Sequence, residues 1–237
     1  MIVEYDGTNF VGWQIQKKDR SVQGVLENAL SKRFGKQIPV VGSGRTDAGV
    51  HALGQTAHFD VSDSEDIPKL RKSFASMLPD DIILHELSEV SDDFHARFSA
   101  KFRTYKYQIL TAPSAVSRLY CWYIKDKLDV NDMHLSLRSL IGDHIFEPLA
   151  KANPEEKHYK CNVTDAKSEK IGDIIYFRIR ANRFVHGMVR AITGTLVDVG
   201  RGKKSTDIFK EILESSDRDL VSNYAPPHGL FLEKVEY

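Results

Sequence analysis

The sequence predicts an α+β protein of two related halves, with a mainly antiparallel mixed sheet and flanking helices, and three observations carry that reading. Strand-like segments alternate apolar with polar residues, the pattern of strands half-buried on one face rather than of a fully covered parallel sheet. Amphipathic stripes at helical spacing lie between them. The same mixture recurs in similar order before and after about residue 100, so the expected subdomains are 1–100 and 101–237.

The first helix is read over "SVQGVLENALSKRFG", where Val22, Val25, Leu26, Ala29, Leu30 and Phe34 recur at helical spacing, Ser21 can cap the start and Gly35 can end it. "TAHFDV" alternates Ala57, Phe59 and Val61 with polar neighbours and reads as a strand. A second helix follows from Ile67, Leu70, Phe74 and Met77, and "IILHELSEV" reads as the next strand. In "KFRTYKYQIL" the residues Arg103, Tyr105, Tyr107 and Ile109 share one face of a strand. Met133, Leu137, Leu140 and Ile141 predict a third helix, "IIYFRIR" a strand, and Val189, Ile192, Leu196 and Val199 a helix that ends at Gly200. "GLFLEKVEY" closes the chain as a strand, while residues 147–162, "EPLAKANPEEKHYKCN", read as an exposed insertion in the second half.

Composition narrows the function classes. At 237 residues, with 41% hydrophobic and 28% charged residues, the chain matches soluble globular proteins and not disordered ones. Its two cysteines, Cys121 and Cys161, form no close pairing motif, which argues against a disulfide framework and for a reducing, cytoplasmic setting. His144, His158 and Cys161 have no metal-site spacing, so neither a metal nor a cofactor is expected. The opening "MIVEYDGTNF" has no basic segment followed by an apolar one, and no run approaches the ~18 apolar residues of a membrane span, so neither export nor a membrane partner is expected.

The most distinctive stretch is "GSGRTDAGVHALGQ", Gly42 to Gln55. Its four glycines mark a tightly shaped loop that permits close approach. Arg45 and Asp47 sit two apart, so an extended chain places both side chains on one side, where a guanidinium can keep a carboxylate ionised. His51 reads as a loop-stabilising hydrogen-bond partner rather than a proton donor.

The extended phrase "GSGRTDAGVHALGQTAHFD" closely resembles the catalytic motif of the tRNA pseudouridine synthase A family. "YDGTNFVGWQIQ", "RSVQGVLENAL", "LPDDI", "FHARFSAKFRTYKY", "ANRFVHGMVRAITGTLVDVGRG" and "APPHGLFL" extend the resemblance over nearly the whole chain. It implies the pseudouridine synthase fold, with an active-site cleft between the halves. It also implies conversion of uridine to pseudouridine in the anticodon stem-loop of tRNA, at tRNA positions 38–40, without cofactor or metal. The family match assigns Asp47 as nucleophile or base, Arg45 as the group that orients it and helps displace the target base, Tyr105 as a stacking surface and proton-transfer aid, and Arg190 as a second positive partner of the carboxylate. His186, one turn before Arg190, receives no proton-transfer role. The resemblance further implies a homodimer.

A net charge of zero does not forbid a polyanionic partner, because a basic surface can coexist with acids elsewhere. Arg103, Arg183, Lys203 and Lys204, with Arg45 and Tyr105, are the expected tRNA contacts. "SDSEDI" and "LPDDI" carry opposing acids. Three other readings remain: a silent RNA-binding module, which would not need the aspartate; a carboxylate-dependent hydrolase, which would want a second acid or a metal; and the same isomerisation on another RNA. Ile145 in "GDHIFEPL" stands where the family often has aspartate, which affects substrate contacts rather than chemistry.

Overall fold

The structure is a computed structural model describing residues 1–61, 66–152 and 158–237. They divide into two units, Met1–Lys101 with Phe231–Tyr237, and Phe102–Leu230. Most of "SDSEDI" and the centre of the 147–162 segment fall outside the described residues.

In the first unit, strand β1 (Ile2–Tyr5) leads to helix α1 (Val22–Phe34). The Ser21 side chain accepts the Gly24 N–H at the start of α1, and Gly35, at φ 67°, ends it. Val22, Leu26, Ala29 and Leu30 form its buried stripe. The short β2 (Val41–Gly42) pairs antiparallel with β3 (His51–His58), which also pairs antiparallel with β1. Helix α2 (Ile67–Ala75) starts at Asp66, whose carboxylate accepts the Lys69 N–H, and buries Leu70 and Phe74. Met77 lies past its end and is exposed. In β4 (Ile82–Glu86), antiparallel to β1, Ile82 and Leu84 are buried and Ile83 is exposed.

Strand β3 departs from expectation: it begins at His51 and ends at His58, so Phe59 and Val61 follow it instead of lining it. The polar His51, Gln55 and Thr56 are buried there. Hydrophobic alternation could not show this, because hydrogen bonds make their burial tolerable.

The second unit begins with β5 (Phe102–Leu110), joined in parallel by β6 (Trp122–Tyr123). Helix α3 (Val130–Ser136) tightens into a 3-10 turn over Leu137–Leu140, which turns the chain extended at Ile141 and leaves that side chain exposed instead of on the expected stripe. Strands β7 (Gly142–Ile145), β8 (Lys160–Ile171) and β9 (Ile174–Ala181) form an antiparallel run that continues to β5. Every second residue of β9 is buried. Helix α4 (Met188–Gly200) is nearly encased: of its residues, Arg190 and Asp198 stay partly exposed. Helix α5 (Ile208–Ser215) buries Ile208, Phe209 and Ile212. Within 147–162, Pro148, Leu149, Ala150 and Cys161 are buried, so both ends of the supposed insertion belong to the core.

The last strand, β10 (Leu230–Glu236), joins the first unit from Phe231 onward, parallel to β3 with Phe231 opposite His51. The result is a mainly antiparallel α+β protein, as expected from the sequence.

Candidate active site

The Gly42–Gln55 motif enters on β2 and leaves on β3, so the loop carrying Arg45 and Asp47 hangs between paired strands. Thr46 anchors its centre. The Thr46 carbonyl accepts the Trp13 N–H at 3.1 Å, and its buried hydroxyl hydrogen-bonds the Tyr5 hydroxyl at 2.8 Å. Arg45 is exposed and Asp47 half-buried.

A second strip of backbone, residues 10–13, clamps the loop. Gly12 and Asp47 form an isolated antiparallel bridge, and the Phe10 carbonyl accepts the Gly49 N–H at 3.2 Å. Gly12 sits at φ 106°, and a Cβ there would lie 2.4 Å from the Thr46 carbonyl oxygen. Glycine is therefore required for both conformation and contact.

Beneath the loop, the Ser43 hydroxyl donates to Gln55 Oε1 at 2.6 Å, while Gln55 Nε2 donates to the Gly44 carbonyl at 2.9 Å. His51 Nδ1 accepts the Gly7 N–H at 3.0 Å, and its ring stacks on Phe231 with centroids 4.7 Å apart. Asp6 Oδ1 is 3.1 Å from that same nitrogen. A nitrogen accepting from Gly7 cannot also donate to Asp6, so His51 braces the loop through the Gly7 bond and the Phe231 ring. The arrangement accounts for two of the polar residues buried on β3: His51 and Gln55 brace the loop from beneath.

In the second unit, Tyr105 lies opposite Ile179 in the β5–β9 register, and its ring meets Phe184 edge-on at 4.9 Å. Arg190, in the first turn of α4, is tied twice to the 225 region: its Nε donates to the Ala225 carbonyl at 2.7 Å, and its carbonyl accepts the Ala225 N–H at 3.0 Å. Burial pushes the Tyr107 phenol up, and the Arg190 charge pulls it partly back. Tyr107 donates to the Pro226 carbonyl at 2.8 Å.

The expected RNA contacts differ in their surroundings. Arg103 donates to the Asn182 carbonyl at 2.8 Å and Arg183 to the His158 carbonyl at 2.8 Å. Lys204 donates to the Leu220 carbonyl at 2.7 Å, whereas Lys203 is exposed. Sequence reading thus found the loop but missed its supports, Tyr5, Thr46, Ser43 and Gln55, and the Phe184 ring beside Tyr105. Their one signal was polar residues within a segment that otherwise reads as strand. Among the described residues, no group of three or more His, Cys, Asp or Glu side chains is placed to hold a metal, and no helix is long and apolar enough to cross a membrane.

The chain matches the model of the tRNA pseudouridine synthase family over residues 1–99 and 137–237. It is 42% identical over 239 residues to the tRNA pseudouridine synthase A of a Thermoanaerobacter species, an alignment spanning 100% of this chain and 98% of that protein. The protein of that name from Acetivibrio thermocellus is 40% identical over 241 residues, with the same coverage of 100% and 98%. The one from Bacteroides thetaiotaomicron is 41% identical over 236 residues, covering 98% of this chain and 88% of its own.

Proposed function

The chain belongs to the tRNA pseudouridine synthase family, and from that premise we propose that it converts uridine to pseudouridine in the anticodon stem-loop of tRNA, with Asp47 as the catalytic carboxylate. In this isomerisation the N1–C1′ bond breaks, the uracil turns, and a C5–C1′ bond forms. The proton lost from C5 is balanced by one gained at N1. An ionised carboxylate can begin the sequence by adding to the base or sugar, or by removing a sugar proton.

The observation that carries the reading is the Arg45–Thr46–Asp47 backbone, pinned at Thr46 from two sides so that the acid is held in one place. Fixed geometry of this kind is what converts a carboxylate into a catalyst. Arg45 orients the charge, Tyr105 offers a flat ring for the turning base, and Arg190 adds positive charge. Arg103, Arg183, Lys203 and Lys204 meet phosphates. The reading includes tRNA as partner, a homodimer and a cytoplasmic place of action.

Asp47→Asn keeps shape and removes charge. With an unmodified tRNA transcript, the variant is expected to bind as the parent does and to form no pseudouridine by chemical mapping. Substantial turnover by the purified variant would remove Asp47 from its role.

A further inference from the structure

We propose that Phe98, carried on the rigid turn 94–99, is a stacking platform for an unpaired tRNA base away from the uridine being isomerised. The proposal rests on the reading of the chain as a tRNA enzyme and extends it to a second point of contact, one read from the first unit alone.

Phe98 is 75% exposed, far more than an aromatic ring of this size needs to be in a protein that buries Phe74 and Phe10. A single exposed apolar residue needs no explanation by itself. What distinguishes this one is the framework beneath it. Five successive backbone N–H groups are all satisfied: His95 to Ser99 Oγ, Ala96 to His58 Nδ1, Arg97 and Phe98 both to His95 Nδ1, and Ser99 to the His95 carbonyl, at 2.9 to 3.2 Å. The Tyr237 hydroxyl donates to the Ala96 carbonyl at 2.7 Å, which ties the turn to the C-terminal strand as well as to the end of β3. A turn so completely bonded holds its side chains in fixed directions.

The ring is also half of a sandwich. The His95 imidazole covers one side of Phe98, with centroids 4.3 Å apart and planes inclined by 31°. His95 Nδ1 accepts the Arg97 and Phe98 N–H groups, which holds the imidazole in place against the ring. At 75% exposure, most of the phenyl ring faces water. The Arg97 guanidinium carbon is 5.6 Å from the ring centroid, and the exposed Lys101 follows three residues later. An exposed aromatic ring with a guanidinium beside it matches a nucleotide: the base stacks on the ring and its phosphate meets the guanidinium. A purely apolar protein partner would not favour a guanidinium over so small a patch.

The test compares Phe98→Leu with Phe98→Trp. Leucine keeps an apolar side chain and removes the π face, whereas tryptophan enlarges it. Direct binding to an unmodified tRNA transcript is measured at fixed salt, alongside KM and kcat for pseudouridine formation. Phe98→Leu is expected to weaken binding about tenfold, within the range for loss of one stacked base. The loss should fall on KM rather than kcat, and Phe98→Trp should restore it. The slope of log affinity against log salt should not change, since every phosphate-binding cation is still present. Parental affinity in Phe98→Leu, or equal losses in the leucine and tryptophan variants, overturns the proposal. So does a change of sedimentation in Phe98→Leu without tRNA, which would give the ring to a contact between copies of the chain. Because binding is measured without turnover, failure of the platform is separable from failure of the isomerase reading, which rests on pseudouridine formation by the parent protein.

Discussion

Replacing Gly12 with alanine tests whether the position of Asp47 is set by the backbone packed against it. The added Cβ would lie 2.4 Å from the Thr46 carbonyl oxygen, where ordinary contacts begin near 3.4 Å, so one strip must move by roughly 1 Å. Two costs add. A φ of 106° is outside the conformations that alanine adopts readily, a strain of about 1–3 kcal/mol. The shift also weakens the Trp13 N–H to Thr46 C=O bond, worth about 0.5–1.5 kcal/mol. A total of about 2–4 kcal/mol lowers the melting temperature of a chain this size by about 5–15 °C. Thr46 precedes Asp47 directly, and a misplacement of about 1 Å at a reacting group costs on the order of 100-fold in rate. The assay pairs thermal melts with single-turnover pseudouridine formation well below the variant's melting point. Gly44→Ala is the control, because a Cβ there meets no atom within 4 Å and the residue does not adopt positive φ; it should be stable and active. If Gly12→Ala melts and turns over like the parent, the clamp does not position the carboxylate and the reasoning fails.

Three further expectations concern two lysines and a half-buried imidazole. Lys203→Ala should make the salt dependence of tRNA affinity shallower by about 0.7 for each phosphate that the lysine neutralises, as measured by a salt titration of binding. Lys204→Ala should also lower the melting temperature, because it strips the Leu220 carbonyl of its donor. Burial lowers the His58 pKa from its ordinary 6.5, helped by His95 and the N-terminal ammonium and opposed by Asp60. Below about pH 6.5 the unfolded chain therefore binds a proton that the folded chain resists, and stability that is complete above that pH is lost on acidification. Melting temperatures between pH 7.5 and 5.5 should fall less steeply in His58→Gln than in the parent, with His228, also lowered by burial, retaining part of the slope. Identical slopes would exclude His58 as a source.

The legible parts of the fold are those whose signals are local. Helix α1 carries its stripe, its Ser21 cap and its Gly35 stop within fifteen residues, and β9 alternates without a break. Strand β8 does not stand out, because the register shift between Val163 and Asp165 interrupts its alternation, and Ala166 and Ser168 fill later inward positions with small side chains. Helix α5 has Ile208, Phe209 and Ile212 at helical spacing but spans only eight residues, too short for the period to stand out. Ile141 departs from its expected place because the 3-10 turn ends at Leu140 and the chain runs extended from Ile141, which leaves the buried Leu137 and Leu140 as the stripe's end.

The candidate site is legible in a different way: the sequence names its reactive side chains and conceals what aims them. Counting glycines inside "GSGRTDAGVHALGQ" locates the loop, yet the close approach that fixes Thr46 is made by Gly12, more than thirty residues earlier, in a stretch with no reactive group of its own. The bonds from Trp13 to Thr46 and from Gly49 to Phe10 run between main-chain atoms, so they leave no trace in residue type except the absence of a side chain where the strips touch. The supports that do have side chains, Gln55, Ser43 and His51, look like surface residues until their partners are known, because each is polar and each is buried through a hydrogen bond to another segment's backbone or, for Ser43, to the Gln55 side chain. A carboxylate held by such indirect means is sensitive to changes that never touch it, which is why Gly12 tests the site more searchingly than any substitution within the motif.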